Sequence, residues 1–136
     1  MIRIVAAHGQ LMVQNEVLRE RLEGGRSPKT EEFIALFDEV EVGLLIYEDW
    51  GLPSSFIYEI FVIHEARNNG IATLLLAHAE MIAAQLGRKS IRLIARSLCL
   101  RSLSHVELSA WYARKGYVEC ISEEGQLEKF LNQSKN

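Results

Sequence analysis

Phe61-Val62-Ile63-His64-Glu65-Ala66-Arg67-Asn68-Asn69-Gly70-Ile71-Ala72 reads as an apolar strand that runs through a polar, glycine-bearing turn into the first turn of a helix. The first backbone N–H groups of a helix have no intrahelical partner and stand at the positive end of its dipole. Such a turn is therefore a natural cradle for a pyrophosphate. Gly70 permits close approach of phosphates, Ala72 leaves room for them, and Arg67 can add a charge. Taken alone, the stretch favours an ordinary strand-to-helix turn with a glycine placed for geometry, so the surrounding elements decide its reading.

Phe56 to His64 is apolar on both faces, the pattern of a central strand. Before it, Phe33 to Phe37 and Val42 to Tyr47 are β-rich runs around the polar turn Asp38-Glu39-Val40-Glu41, an antiparallel hairpin. Trp50-Gly51-Leu52-Pro53-Ser54-Ser55 breaks the second run. After it, Ile71, Leu75, Ile82 and Leu86 form the core stripe of a long helix closed by Gly87. Ile91 to Ser97 is the next strand, completing a β-α-β unit whose crossover should be right-handed.

The flanks add shorter elements. Ile2, Ile4 and Ala6 alternate with Arg3 and Val5 in a first strand. Gln10 to Glu23 follows as a helix, with Leu11, Leu18 and Leu22 on one face and Glu16, Arg19 and Glu20 on the other, stopped by Gly24-Gly25. Ser104-x-x-Glu107 is a capping box that predicts a helix from His105 to about Lys115, ended by Gly116. Tyr117 to Ile121 and Leu127 to Leu131 then form a closing hairpin around Ser122-Glu123-Glu124-Gly125.

A chain of 136 residues suits one domain, residues 1–136, with a core that needs no metal or disulfide. A net charge of −3 argues against a general nucleic-acid binder, which needs a basic face. No apolar run has the length of a membrane span or the form of a signal peptide, so no membrane partner is expected and the protein is read as cytoplasmic. Cys99 and Cys120 lack ligand spacing and are read as reduced structural thiols. His8 and His78 have no Cys or carboxylate neighbours at ligand spacing and are read as structural.

With this order of elements, the chain resembles the GNAT N-acetyltransferase family. Its acetyl-CoA motif is Arg or Gln, two residues, Gly, one residue, then Gly or Ala, and Arg67, Gly70 and Ala72 match it. Its second marker, an aromatic-Tyr pair, three residues, Gly and an aromatic, is matched by Trp111, Tyr112, Gly116 and Tyr117. The resemblance runs from about Glu32 to Leu131. It implies an α/β fold of α+β type: a mixed, centrally splayed β-sheet of about six to seven strands flanked by helices. The strands at Phe56 to His64 and Ile91 to Ser97 would separate to admit the pantetheine arm. It also implies acetyl-CoA as co-substrate, no metal, and a small-molecule or protein amine as acceptor, with a homodimer left open.

The same resemblance assigns the backbone of Ile60, Phe61 and Val62 to the acetyl and pantetheine groups, and Asn68, Asn69, Gly70, Ile71, Ala72 and Thr73 to the pyrophosphate. An amine such as lysine, with a pKa of about 10.4, is protonated at neutral pH and must lose a proton before it attacks. Glu59, just before the acetyl-binding backbone, is the candidate base, acting through water; the alternative is a partly exposed or paired strand carboxylate. Tyr112 matches the family's proton donor to the CoA thiolate, and a phenol with a pKa of about 10 needs no tuning to donate. Otherwise Tyr112 would be a core aromatic, the role assigned here to Trp111.

Two positions depart from the family pattern. His105 stands where many relatives carry an Asn that contacts CoA, a hydrogen bond that a histidine can also donate. His64 replaces a frequent proline and reads as a solvated loop residue. The acceptor region falls to the first helix, the Trp50 to Ser55 loop and the final hairpin. There Glu119, Glu123 and Glu124 hint at a cationic acceptor, although such charges are more often a solvated surface. The short helical segment before Lys29 predicts an open acceptor site. The alternative function is a non-catalytic acyl-CoA-binding regulatory module.

Overall fold

The computed structural model describes residues 1–7, 13–94 and 105–131, with the backbone alone at His105. Seven strands form one sheet: β1 (Ile2–Ala6), β2 (Thr30–Phe37), β3 (Val40–Asp49), β4 (Ser54–Val62), β5 (Ser90–Leu93), β6 (Val118–Glu119) and β7 (Leu127–Phe130). Their order is β1-β2-β3-β4-β5-β7-β6. Every neighbouring pair is antiparallel except β4 with β5. The helices are α1 (Glu16–Gly25), α2 (Ile71–Gln85) and α3 (His105–Arg114).

A sheet this wide must be covered on both faces, and two apolar clusters do so. One joins Leu45, Tyr47, Ile57 and Val62 of the sheet to Ile71, Leu75, Leu76, Ala79 and Ala83 of α2 and to Tyr112 of α3. The other joins Ile34, Leu44, Ile46 and Phe61 to Leu18 and Leu22 of α1. The small alanines let α2 settle against β3 at Gly43. A Cβ there would lie 3.1 Å from both Ile71 Cγ2 and Leu75 Cδ1, so the helix is as close as the backbone allows. Leu75 is fully buried, and truncating it to alanine would cost about 2–5 kcal/mol.

Local signals set the helix ends. Asn15 caps α1 by accepting from Leu18 N–H at 3.0 Å, while the Glu41 carboxylate of β3 accepts from Gln14 and Asn15 N–H and anchors the cap to the sheet. At the end of α2, Gly87 takes φ +78° and Arg88 N–H returns to Ala83 C=O at 2.9 Å. At the end of α3, Gly116 takes φ +102° and Tyr117 N–H returns to Tyr112 C=O at 3.1 Å.

Several boundaries differ from the sequence reading. The first helix begins at Glu16, not Gln10, because Asn15 supplies the cap, and it runs through Gly24-Gly25 to end at Arg26. The β2–β3 turn is only Asp38-Glu39, at φ +51° and +69°, and β3 already starts at Val40. Arg3 of β1 holds Glu39 by two hydrogen bonds, which helps two non-glycine residues sit in this left-handed turn. His64 is not in the central strand; it opens a single 3-10 turn, His64–Ala66. β5 is Ser90–Leu93 among the described residues; residues 95–97 of the expected Ile91 to Ser97 strand lie outside them, as do Leu11, His8, Cys99 and Ser104. Of the closing hairpin's first arm only Val118–Glu119 pairs.

Candidate active site

β4 carries an irregularity that sorts its side chains. Ile46 of β3 faces Glu59, yet the adjacent Tyr47 faces Ile57, so Tyr58 is an extra residue on β4, a β-bulge. In an unbroken strand Ile57 and Ile60 would point to opposite faces. Here both pack with the α2-side cluster, together with Val62. Phe61 turns to the α1-side cluster, and Glu59 reaches the same side. Its Oε2 accepts from Nη1 of Arg21 on α1, whose Cζ also lies 4.0 Å from the centre of the Phe61 ring. Glu59 is thus paired with Arg21 on the α1 side. Arg21 was missed because nothing in its own segment marks it; the signal is a cation between the core residues Leu18 and Leu22.

Beyond the bulge, β4 keeps β3 on one edge but has no neighbour on its β5 edge among the described residues. The parallel register with β5 runs from Ser54↔Ser90 to Ile57↔Leu93 and stops, while β4 continues to Val62. A polar chain fastens the closed end: Ser54 Oγ lies 2.7 Å from Ser90 Oγ, and Ser90 donates to Glu128 Oε2 at 2.6 Å. Arg92 donates to the same oxygen at 3.1 Å, and Cys120 Sγ lies 3.7 Å from Oε1. The hydroxyl and guanidinium donors outweigh burial and hold the Glu128 carboxyl below its ordinary range. Three strands, β4, β5 and β7, are thereby pinned where the parallel pair begins.

At the far end of β4 lies the turn into α2. Asn68 and Gly70 take φ +68° and +77°, and Gly70 is the N-cap of α2 with no side chain capping it. Leu74 N–H is bonded to Gly70 C=O at 3.1 Å, which leaves Ile71, Ala72 and Thr73 N–H as the uncapped donors of the first turn. A Cβ on Gly70 would meet nothing within 4 Å, so open space adjoins the donors. Asn69 turns inward, with Nδ2 donating to Ala66 C=O at 3.1 Å. Arg67 turns back onto the strand: Nε donates to Val62 C=O at 3.0 Å, and its buried Nη1 meets no acceptor among the described residues. These features fit an anionic phosphate chain, with Arg67 standing behind the turn.

Tyr112 is buried on the α2 side of the sheet, with its ring edge-on to Trp111 at 5.0 Å and to Tyr117 at 5.7 Å. Trp111 is partly buried against the core and also carries Lys115 over its ring, in keeping with a packing role. Tyr117 donates to Glu80 Oε2 of α2 at 2.8 Å, and Lys129 Nζ donates to Oε1 at 3.2 Å. Burial and the adjacent Glu80 carboxylate push the Tyr117 hydroxyl well above its ordinary range. Tyr112 and Glu59 therefore stand on opposite sides of the sheet, on either side of the second half of β4.

A family model described as an acetyltransferase (GNAT) domain matches residues 28–119, more than half of the chain. The chain belongs to the GNAT acetyltransferase family. Solved structures share its fold at low identity. A GNAT family acetyltransferase from Elizabethkingia anophelis with acetyl-CoA bound is 16% identical, with a TM-score of 0.71 over 96% of this chain and 98% of that one. An IAA acetyltransferase from Bacillus cereus is 16% identical, with a TM-score of 0.73 over 96% and 100%. The ribosomal-protein-S18-alanine N-acetyltransferase from Escherichia coli is 12% identical, with a TM-score of 0.70 over 99% and 97%. No curated protein matches the sequence significantly.

As a GNAT acetyltransferase the chain draws on acetyl-CoA, and the seven-stranded mixed sheet with its flanking helices is the fold implied by the resemblance. The remaining candidates are placed as follows. The His105 side chain lies outside the described residues. His64 is exposed, and His78 packs edge-on against Phe33, where burial lowers its pKa. Cys120 is free and buried. Among the described residues no three metal-binding side chains cluster, and no helix is long and apolar enough to cross a membrane. Trp50 lines a cavity of about 650 Å³ with Lys29, Glu31 and Leu86, at the closed end of the β4–β5 pair. Glu119 and Glu124 border a smaller recess of about 380 Å³ beside Ser109.

Proposed function

We propose that this GNAT protein moves an acetyl group from acetyl-CoA to a primary amine by direct attack. The observation that carries the reading is the second half of β4, which among the described residues has a neighbour only in β3 and leads into the uncapped N-terminus of α2. The uncapped N–H groups of Ile71, Ala72 and Thr73, with Asn68, Asn69 and Gly70, hold the pyrophosphate, and Arg67 supports the turn from behind. The backbone of Ile60, Phe61 and Val62, which has no β5 partner among the described residues, receives the acetyl and pantetheine groups. His105, at the start of α3, is assigned a further contact to CoA.

Acetyl-CoA supplies an activated thioester. The protein's own groups manage two protons. Glu59, on the α1 side, takes a proton from the incoming ammonium through a water. Tyr112, on the α2 side, donates its hydroxyl proton to the departing sulfur, and its buried position between Trp111 and Tyr117 keeps that hydroxyl in place. The two faces of the sheet then have separate tasks, donor on one and acceptor on the other.

Calorimetric titration of the protein with acetyl-CoA and with free CoA tests this reading before any acceptor is known. Saturable one-site binding is expected, and thiol release with an amine panel follows. Absence of binding by folded protein would retire it.

A further inference from the structure

Glu59 shares the α1 side with a cation. Arg21 donates to it through Nη1 and stacks on Phe61 at 4.0 Å, so one ion pair and one ring contact fix the guanidinium plane. A guanidinium has five N–H donors in a rigid fork, and among the described residues Glu59 is the one acceptor this fork meets. The pair is not sealed: the Arg21 and Glu59 side chains keep 27% and 10% of their surface. Tyr58 and the end of α1 at Gly25 stand beside it, with the Tyr58 ring against the helix end.

An amine approaching Glu59 must be a cation before it gives up its proton. Arg21 repels a bare ammonium at that spot, because the carboxylate that would attract it is already paired. A ligand that brings its own negative charge reverses the balance. Its carboxylate occupies the free edge of the Arg21 fork, in the geometry that guanidinium groups favour, and this releases Glu59 toward the ammonium.

We propose that the acceptor is a small zwitterion of the amino-acid class, with its carboxylate on Arg21 and its ammonium beside Glu59. This rests on the acetyl transfer proposed above. The ammonium loses one proton to Glu59, the nitrogen–acyl carbon bond forms, the nitrogen sheds its second proton to solvent as the carbon–sulfur bond breaks, and the sulfur takes the Tyr112 proton. Tyr112 is reprotonated from solvent. The acceptor's carboxylate does not react. The products are an N-acetylated acid and free CoA.

The test is thiol release by the full chain at saturating acetyl-CoA with a panel of L-amino acids and β-alanine, each beside its methyl ester and its decarboxylated amine. The best acid should exceed its own ester at least tenfold in kcat/KM. Arg21→Met should lower that value for the acid tenfold or more through KM without lowering it for the ester, and Arg21→Lys should recover part of the loss. Acetyl-CoA titration checks that each variant is folded; if Arg21→Met does not fold, the acid–ester comparison in the unmodified protein still decides. Esters, decarboxylated amines or a polyamine used as well as or better than every acid would overturn the proposal. So would acetyl-CoA binding with no acid acetylated, which leaves donor binding intact. Failure to bind acetyl-CoA would instead remove the parent reading.

Discussion

Arg88 grips Asp49 with two parallel hydrogen bonds, Nε to Oδ1 and Nη2 to Oδ2, both 2.8 Å, and so ties the exit of α2 to the end of β3. The same carboxylate accepts Gly51 N–H at 3.0 Å, which shapes the loop that follows. These donors hold the Asp49 carboxyl down at about 2, against an ordinary 3.8. A carboxylate with a lowered folded-state pKa stabilises the fold above its unfolded value, and the contribution is lost as pH falls through the folded one. Thermal unfolding of Arg88→Met should therefore show a Tm deficit near pH 6 that shrinks from about pH 4 and vanishes near pH 2. A deficit that does not change with pH would mean that Arg88 acts through packing alone.

Gly70 and Gly87 offer a matched pair of substitutions. They stand at φ +77° and +78°, and a Cβ on either meets nothing within 4 Å. Alanine should cost about 1–2 kcal/mol at each through backbone strain alone. Only Gly70 borders the uncapped α2 donors, so Gly70→Ala should also weaken acetyl-CoA binding by roughly tenfold, the scale of one lost phosphate contact. Gly87→Ala should bind like the parent. Equal affinity in the two variants, measured by calorimetry, would separate Gly70 from the cradle.

Tyr112→Phe removes one oxygen from a packed aromatic triad and leaves the rings in contact. Turnover should fall by roughly 10²-fold, the lower end for a lost general acid, with acetyl-CoA affinity nearly unchanged. Single-turnover measurements must establish that chemistry limits the rate. Parent-like turnover under those conditions would return Tyr112 to the core.

Tyr117→Phe takes the hydroxyl donor away from Glu80 and leaves that carboxylate to Lys129 alone. The loss should be about 1–2 kcal/mol, a Tm decrease of a few degrees. The raised folded-state pKa of Tyr117 gives a second signature. Stability should fall in the parent as pH rises above about 10, where the unfolded tyrosine ionises first, and the variant should fall less steeply.

Much of this was legible because it is written locally. The strand-turn-helix at Phe61 to Ala72, the glycines that end α2 and α3, and the order of elements follow from hydrophobic period and left-handed caps, and the motif residues Arg67, Gly70 and Ala72 sit where those elements place them. What escaped was pairing across the chain. Glu59 on β4 finds Arg21 on α1, 38 residues away, and no periodicity announces that meeting. The Ser54–Ser90–Glu128 chain joins β4, β5 and β7 through residues that each look like ordinary strand polars. Arg67 was read as a phosphate ligand from its motif position, yet its Nε is bonded to Val62 C=O, a direction the backbone turn decides.

The extra residue at Tyr58 acts on β4 as a parity bit. Strand side chains alternate by odd and even count, so one inserted residue exchanges the assignments of everything after it. Were Tyr58 instead paired as an ordinary strand residue, Glu59 would face the α2 helix, away from Arg21, while Ile60 and Val62 would trade places with Phe61. A redesign or a homologue comparison that slips by one position between Ile57 and Ile60 would therefore keep every candidate residue and still assign each of them to the wrong face of the sheet.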